Sequence, residues 1–262
     1  MVGHCSCVDR GRHWRHDDEA PTAKETSVNS TRLGVGIIGA GRVGPLIAAA
    51  LSRAGHALVG ITSPSESERE RIEAILPGVV YADPLQIIER SELVVVALPD
   101  QDLPGFIEGI SLQNAWNTGQ LVLHTSITHG LDVLDSARAQ GAIPLALHPL
   151  MEFTGTSMDL SRMSGAWCVI SAPAVAEPIA SALAVEMGME PLVVAEDKRA
   201  DVASAIALAT SFSHTTIHEA ASRLKAAGID NPGVVMHPLV TSSIENALRL
   251  FAGNERELGG EA

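Results

Sequence analysis

Aromatic side chains are scarce in this sequence: one Tyr, four Phe and three Trp make up 3% of its 262 residues. A core short of rings has to be built from Ala, Val, Leu and Ile, and small aliphatics of that kind suit close packing of helices on a parallel sheet. Cysteine is nearly as rare. Cys5 and Cys7 fall in a polar leader and Cys168 in an apolar run. No disulfide framework is readable, which suits a cytoplasmic protein. No stretch reaches the roughly 18 uninterrupted apolar residues of a membrane span, and the N-terminus lacks the apolar segment of a secretory signal. Positive charge is also short, with 18 Lys and Arg against 31 Asp and Glu and a net charge of −13. Such a surface disfavours nonspecific binding to nucleic acid or to anionic membranes. It does not exclude an anionic cofactor, because backbone amides and a few arginines can set the potential of one cleft.

What is present is a 46% hydrophobic chain, long enough for one large domain or two modest ones. Residues 1–31 are polar and carry no hydrophobic period, so they read as a disordered leader. Its Cys and His residues lack a zinc-finger spacing, and no metal is expected there. From Arg32 apolar runs alternate with helical patterns. Strands are expected at 33–38, 56–62, 79–81, 93–98, 121–125, 144–147, 167–171 and 191–195. Helices are expected at 46–54, 67–76, 84–90, 103–110, 131–140 and 174–187. This alternation implies an α/β fold, a doubly wound, mainly parallel Rossmann sheet covered on both faces. After Asp197 the strand signal stops. Residues 200–228 read as one long Ala-rich helix, Gly228-Ile229-Asp230-Asn231-Pro232-Gly233 as a stop and turn, and 239–250 as a last helix. The expected organisation is a leader (1–31), a Rossmann dinucleotide-binding domain (32–195), a small all-helical C-terminal domain (196–252) and a tail (253–262).

Gly39-Ala40-Gly41-Arg42-Val43-Gly44 follows the first strand directly and opens a helix. In a dinucleotide site Gly39 supports the tight turn, Gly41 leaves room for the pyrophosphate and Gly44 lets the helix approach the strand. The free amides and positive dipole end of that helix face the phosphates. Pro45 fits the first turn, where its missing N–H has no intrahelical partner. An acid at the tip of the second strand would select NAD through the ribose hydroxyls. Here the tip reads Ile61-Thr62-Ser63-Pro64-Ser65, followed by Arg69 and Arg71. Ser63 and Ser65 can donate to a 2′-phosphate and Arg69 or Arg71 can pair with it, with Arg42 as a further cation, so NADP is expected over NAD. Leu98 and Pro99, at the end of the third strong strand, are expected to line the cofactor, with Asp100 and Asp102 capping the next helix.

Two histidines end strands, in Leu123-His124-Thr125-Ser126 and Leu147-His148-Pro149-Leu150. Histidine suits proton donation near neutral pH. Either His124 or His148 can serve the nicotinamide end of the cleft, with Thr125 and Ser126 beside the cofactor, or be a buried, hydrogen-bonded structural group. Lys198 can face the cleft from the domain junction or belong to the exposed run Glu196-Asp197-Lys198-Arg199. His214 and His218 are spaced for a metal but lack a third ligand.

The glycine turn, Ala97-Leu98-Pro99-Asp100, His124-Thr125-Ser126 and His148-Pro149-Leu150 occur in that order and at suitable distances. Over about residues 32–250 the chain resembles the bacterial Rossmann-like proteins with a C-terminal helical domain of unknown function. These belong to the 6-phosphogluconate-dehydrogenase-like group, with ketopantoate reductase and pyrroline-5-carboxylate reductase as relatives. The resemblance implies an NADP-type cofactor, a helical domain that closes the cleft and a homodimer through that domain. The family pattern opens its long helix with a Tyr-His pair. The corresponding stretch here is Asp201-Val202-Ala203-Ser204-Ala205, so a polar pair expected to face the cleft is missing.

Together these features predict an NADP-dependent oxidoreductase moving hydride to or from a small carbonyl or imine. Hydride chemistry would belong to the nicotinamide, and the protein would position it and supply a proton. The alternative is a non-catalytic dinucleotide-binding protein, a sensor or an assembly partner. The His-Pro-Leu element and the helical domain argue against a methyltransferase using S-adenosylmethionine.

Overall fold

A computed structural model describes residues 32–62 and 65–252. The leader, the tail and Ser63 therefore lie outside the described residues. The elements run β1 (Gly34–Ile38), α1 (Gly44–Arg53), β2 (Ala57–Thr62), α2 (Glu66–Ile75), β3 (Tyr81–Ala82), α3 (Pro84–Arg90), β4 (Leu93–Val96), α4 (Leu103–Leu112) and β5 (Leu121–His124). A 3-10 turn at Leu131–Leu134 leads into α5 (Asp135–Arg138), where one continuous helix was expected. Then come β6 (Ile143–Pro149), α6 (Met158–Met163), β7 (Trp167–Ser171), α7 (Glu177–Glu186), β8 (Glu190–Val193), α8 (Arg199–Ala226) and α9 (Pro232–Ala252).

The strands form one sheet in the order β3-β2-β1-β4-β5-β6-β7-β8. Every neighbouring pair is parallel except β6 and β7, where Pro149 lies opposite Cys168 and Ala146 opposite Ser171. The chain winds outward from β1 in one direction and from β4 in the other. The crevice at the carboxyl ends of β1 and β4 is thus the switch point where such sheets hold ligands.

Alternation along each strand builds a core on each face of the sheet. Val35, Ile37, Leu93, Val95, Leu121 and Leu123 pack beneath α1 and α7, with Leu46, Leu51, Leu183 and Met163. Ile38, Val94, Val96 and Val122 pack on the other face beneath α3 and α4, with Ile87, Ile88, Leu103 and Ile107. Each fully buried Val, Leu or Ile contributes roughly 1.5–3 kcal/mol. Gly36 brings α3 hard against β1: a Cβ there would stand 2.3 Å from the Ser91 hydroxyl and 2.4 Å from Ile87.

α8 and α9 carry little of this core. Among the described residues of the two helices only Arg199 and Met236 are buried. α9 begins well before Leu239, because Pro232 sits in its first turn and Pro238 is accommodated inside it. α6 falls where no helix was expected. No helix among the described residues is long and apolar enough to cross a membrane.

Candidate functional site

The glycine turn lies at the switch point, and its three glycines are there for different physical reasons. Gly39 has φ +117°, and a Cβ on it would sit 2.3 Å from the Ala97 carbonyl oxygen. A Cβ on Gly44 would sit 2.1 Å from the Gly39 carbonyl oxygen. Packing alone demands glycine at both positions. A Cβ on Gly41 would meet nothing within 4 Å, so protein packing does not require glycine there. The Gly39 amide donates to the Thr62 hydroxyl at 2.9 Å, tying the turn to the tip of β2. Val43, which precedes α1, makes no side-chain cap, and the first turn of α1 contains Pro45 and no acid. The amide end of α1 therefore stays available to an anion, and the open cradle over Gly41 fits a pyrophosphate.

The arginines arrange themselves differently from the expectation. The Arg69 guanidinium lies over the Tyr81 ring, 4.8 Å from its centre. Arg71 instead reaches the turn, with Nη2 donating to the carbonyls of Ala40 (3.0 Å) and Gly41 (3.2 Å). Its Nε is buried without a partner among the described residues. Ser65 caps α2, its hydroxyl donating to the Glu68 carboxylate at 2.7 Å and its amide to the same group at 2.9 Å. Glu68 is thereby turned into the cap. Gly155, after β6, packs on both Arg42 and Arg71: a Cβ on it would lie 2.9 Å from Arg42 Cγ and 3.0 Å from Arg71 Nη1. Its loop is held by the fully buried Asp159, which accepts from the amides of Thr154 and Gly155, both at 2.8 Å.

Leu98 packs on the second core, and Pro99 is exposed. The capping expected of Asp100 and Asp102 does not occur. Asp102 precedes α4 without a side-chain cap, and Asp100 accepts from the Thr128 hydroxyl at 2.6 Å while its carbonyl accepts from His129 Nε2 at 2.9 Å. The turn after β5 is thus latched to the turn after β4. Ser126 is buried inside that latch, its hydroxyl accepting from the His129 amide at 3.1 Å.

The two histidines separate. His124 is fully buried; Nε2 faces the Gly130 carbonyl at 3.1 Å, and Nδ1 has no partner among the described residues. Burial, and secondarily the Arg199 guanidinium, push its pKa down to about 3. It lines neither cavity described here, so its environment is that of a neutral core group. His148 borders two cavities. One, of about 260 Å³, adjoins the glycine turn and is lined by Arg42, Val43, Thr125, Pro149, Met151 and Phe153. The other, of about 560 Å³, lies between the segment after β6 and the face of α8 that carries Ala203, Ile206, Ala207 and Thr210. His148 Nδ1 is 2.8 Å from the Thr125 carbonyl oxygen. A carbonyl only accepts, so Nδ1 carries the proton and Nε2 keeps its lone pair. Burial holds the pKa of His148 below the ordinary histidine value, opposed in part by the bond to Thr125.

Lys198 is not brought to the cleft. Its side chain is 67% exposed and faces Asp197 at 3.7 Å. The next residue takes the structural place at the junction. Arg199 is 3% exposed and donates through Nε to the His129 carbonyl (2.7 Å), through Nη1 to the Ser171 hydroxyl (3.1 Å) and through Nη2 to the Ser126 carbonyl. Sequence reasoning read it as one of an exposed charged run. His214 of α8 faces the carboxylate of Glu152, which lines the larger cavity, at 2.9 Å. No group of three or more His, Cys, Asp or Glu able to hold a metal occurs among the described residues. Cys168 is buried and its thiol pushed up to about 12, which leaves it inert.

The sequence matches the Rossmann-like domain family over residues 19–149, half of the chain. The chain belongs to that family. Residues 166–260 match a domain of unknown function, DUF2520. The family resemblance read from the motifs thus holds, with this C-terminal domain following the Rossmann-like one. No curated protein matches the sequence. Among solved structures, a presumed NADP oxidoreductase from Bacteroides fragilis is similar at 20% identity and TM-score 0.68, over 82% of this chain and 80% of that one. A 1-pyrroline-5-carboxylate reductase from Streptococcus pyogenes is 15% identical over 85% of this chain and 81% of its own, with TM-score 0.61. An imine reductase from Myxococcus stipitatus, solved with NADP+, is 16% identical over 84% and 78%, with TM-score 0.60. Likeness at these identities shows the fold.

Proposed function

We propose that the protein is an NADP-dependent oxidoreductase that transfers hydride to or from a small carbonyl or imine substrate. The observation that carries this reading is the continuity of the site. The cavity bounded by Thr125 and His148 adjoins the glycine turn at Arg42 and Val43, next to the open Gly41, and His148 also borders the cavity against α8. When bound, the nicotinamide would supply the hydride. Gly39, Gly41, Gly44 and the amide end of α1 would hold the pyrophosphate. Arg42, with Arg71 held beside the turn by the Ala40 carbonyl, would pair with a 2′-phosphate, and Thr62 occupies the strand tip where an acid would favour NAD. His148 would orient the substrate through Nε2, and the apolar wall of α8 would exclude water.

The fold resemblance also supports two wider readings. Residues 196–252 would act as a helical domain that closes the cleft and pairs two chains. Leu208, Phe212, Leu239, Leu248 and Phe251 on α8 and α9 are exposed as a homodimer interface would require. Light scattering would read twice the mass of one chain. Scarce cysteine, with Cys168 free among the described residues, fits a cytoplasmic setting.

Calorimetry with NADPH and NADH, followed by NADPH oxidation across a panel of carbonyls and imines, tests the main reading. Tighter binding of NADPH and turnover lost in His148→Ala are expected. Tight NADPH binding without turnover on any panel member would instead establish the non-catalytic reading, which the exposure of Asp201 and the apolar cleft face of α8 favour.

A further inference from the structure

The larger cavity narrows the substrate class for the hydride transfer proposed above, on which this inference rests. Its wall is apolar, built from Leu150 and Met151 on one side and Ile206 and Ala207 on the other. Among the described residues two ionisable side chains line it, His148 and Glu152, and neither a lysine nor an arginine does. Glu152 stands at the rim, its carboxylate 2.9 Å from His214. A substrate carrying a carboxylate would lose its water there, meet no cation to replace it and face the charge of Glu152, an unfavourable transfer. A cation with an apolar body would meet the opposite conditions.

The tautomer of His148 points the same way. Nδ1–H is committed to the Thr125 carbonyl, so Nε2 offers a lone pair rather than a proton. Burial lowers the pKa of the ring and so disfavours its charged form. A ketone reduced by hydride becomes an alkoxide and needs a proton from a nearby acid, which a neutral imidazole supplies poorly. A protonated imine brings its own proton.

We propose that this cavity takes a protonated imine with an apolar body and no acidic group, its N–H donating to His148 Nε2 and its positive charge facing Glu152. In the reduction the imine carbon gains a C–H bond from the hydride of a reduced nicotinamide dinucleotide, which is oxidised by two electrons. The C=N π pair becomes the nitrogen lone pair. The neutral amine that results takes up a proton from water as it leaves.

The test uses matched five-membered rings with the full chain. With NADP+ present, calorimetry compares 2-methylpyrrolidine, a cation at pH 7.5, with proline, which adds a carboxylate. With NADPH, oxidation is followed on 2-methyl-1-pyrroline and on 1-pyrroline-2-carboxylate. The methyl compounds should be preferred on the order of a hundredfold in affinity and in kcat/KM. Glu152→Gln should weaken amine binding and raise KM about fivefold, the scale of a half-exposed ion pair, with kcat changing less. His214→Ala breaks the same Glu152–His214 contact but keeps the carboxylate, and should leave amine binding intact or tighter. Equal or better binding of the carboxylate compounds would overturn the inference. So would a His214→Ala variant that reproduces Glu152→Gln, because the pair would then act only as a latch. Selective amine binding without oxidation of NADPH would uphold the ligand class and refute the hydride-transfer reading alone.

Discussion

Gly41→Asp separates a glycine kept for a ligand from one kept for the fold. The new side chain meets no protein atom within 4 Å of its Cβ, and the backbone at Gly41 is outside the positive-φ region that strains other residues. Stability should therefore change by no more than about 0.5 kcal/mol, or roughly 2 °C in Tm for a chain of this size. The carboxylate would stand where the pyrophosphate is proposed to pass. At a separation of about 5 Å and an effective dielectric constant near 20, one pair of like charges repels by about 3 kcal/mol. NADPH affinity should fall by more than about a hundredfold. Gly44→Ala is the opposite case. Its Cβ would lie 2.1 Å from the Gly39 carbonyl oxygen, an overpacking worth about 2 kcal/mol, or roughly 4–8 °C in Tm. Thermal unfolding and NADPH titration on both variants read the two effects independently. Wild-type NADPH affinity in a folded Gly41→Asp protein would refute the pyrophosphate assignment, and unfolding of that variant would refute the open cradle.

Two further predictions concern groups that hold the site in place. His124 has its pKa lowered to about 3 in the folded chain, against about 6.5 when unfolded. The unfolded state therefore binds the extra proton first, so stability is full above pH 6.5 and falls toward pH 3 by up to about 1.4 kcal/mol per pH unit. Chemical unfolding across that range should show this slope shallower in His124→Leu, and an unchanged slope would mean that His124 is not held neutral. Arg199→Met leaves the carbonyls of Ser126 and His129 without their buried donor. At about 1–3 kcal/mol for each orphaned group, Tm should fall by roughly 4 °C or more, while Lys198→Met, at an exposed site, should leave it unchanged.

Much of the fold was legible because its signals are local. β1, the glycine turn and α1 are a contiguous apolar run, a backbone constraint and a helix start, and each strand of the sheet shows as its own short apolar run. The failures came where a distant partner decides. The last helix is expected only from Leu239, yet α9 starts at Pro232 and runs through Pro238. α6 is too short to show a period, and the Asp159 beneath its loop is recognisable only once the amides it binds are in place. β7 reads like any other strand; its antiparallel pairing with β6 is a matter of where the chain returns.

The same division runs through the candidate site. Sequence by itself determined the dinucleotide fold and the glycine turn, because the apolar run of β1, the glycine spacing and the start of α1 are written in neighbouring residues. Only the tertiary structure decided which of two similar strand-end histidines is enclosed and which borders the cavities, which of two arginines on α2 turns back to the glycine turn, and that Arg199 rather than Lys198 is buried at the junction. In each case the candidates share one chemistry and a similar local sequence setting. What separates them is the direction in which the side chain leaves the backbone and what meets it there, and that is fixed by elements tens of residues away.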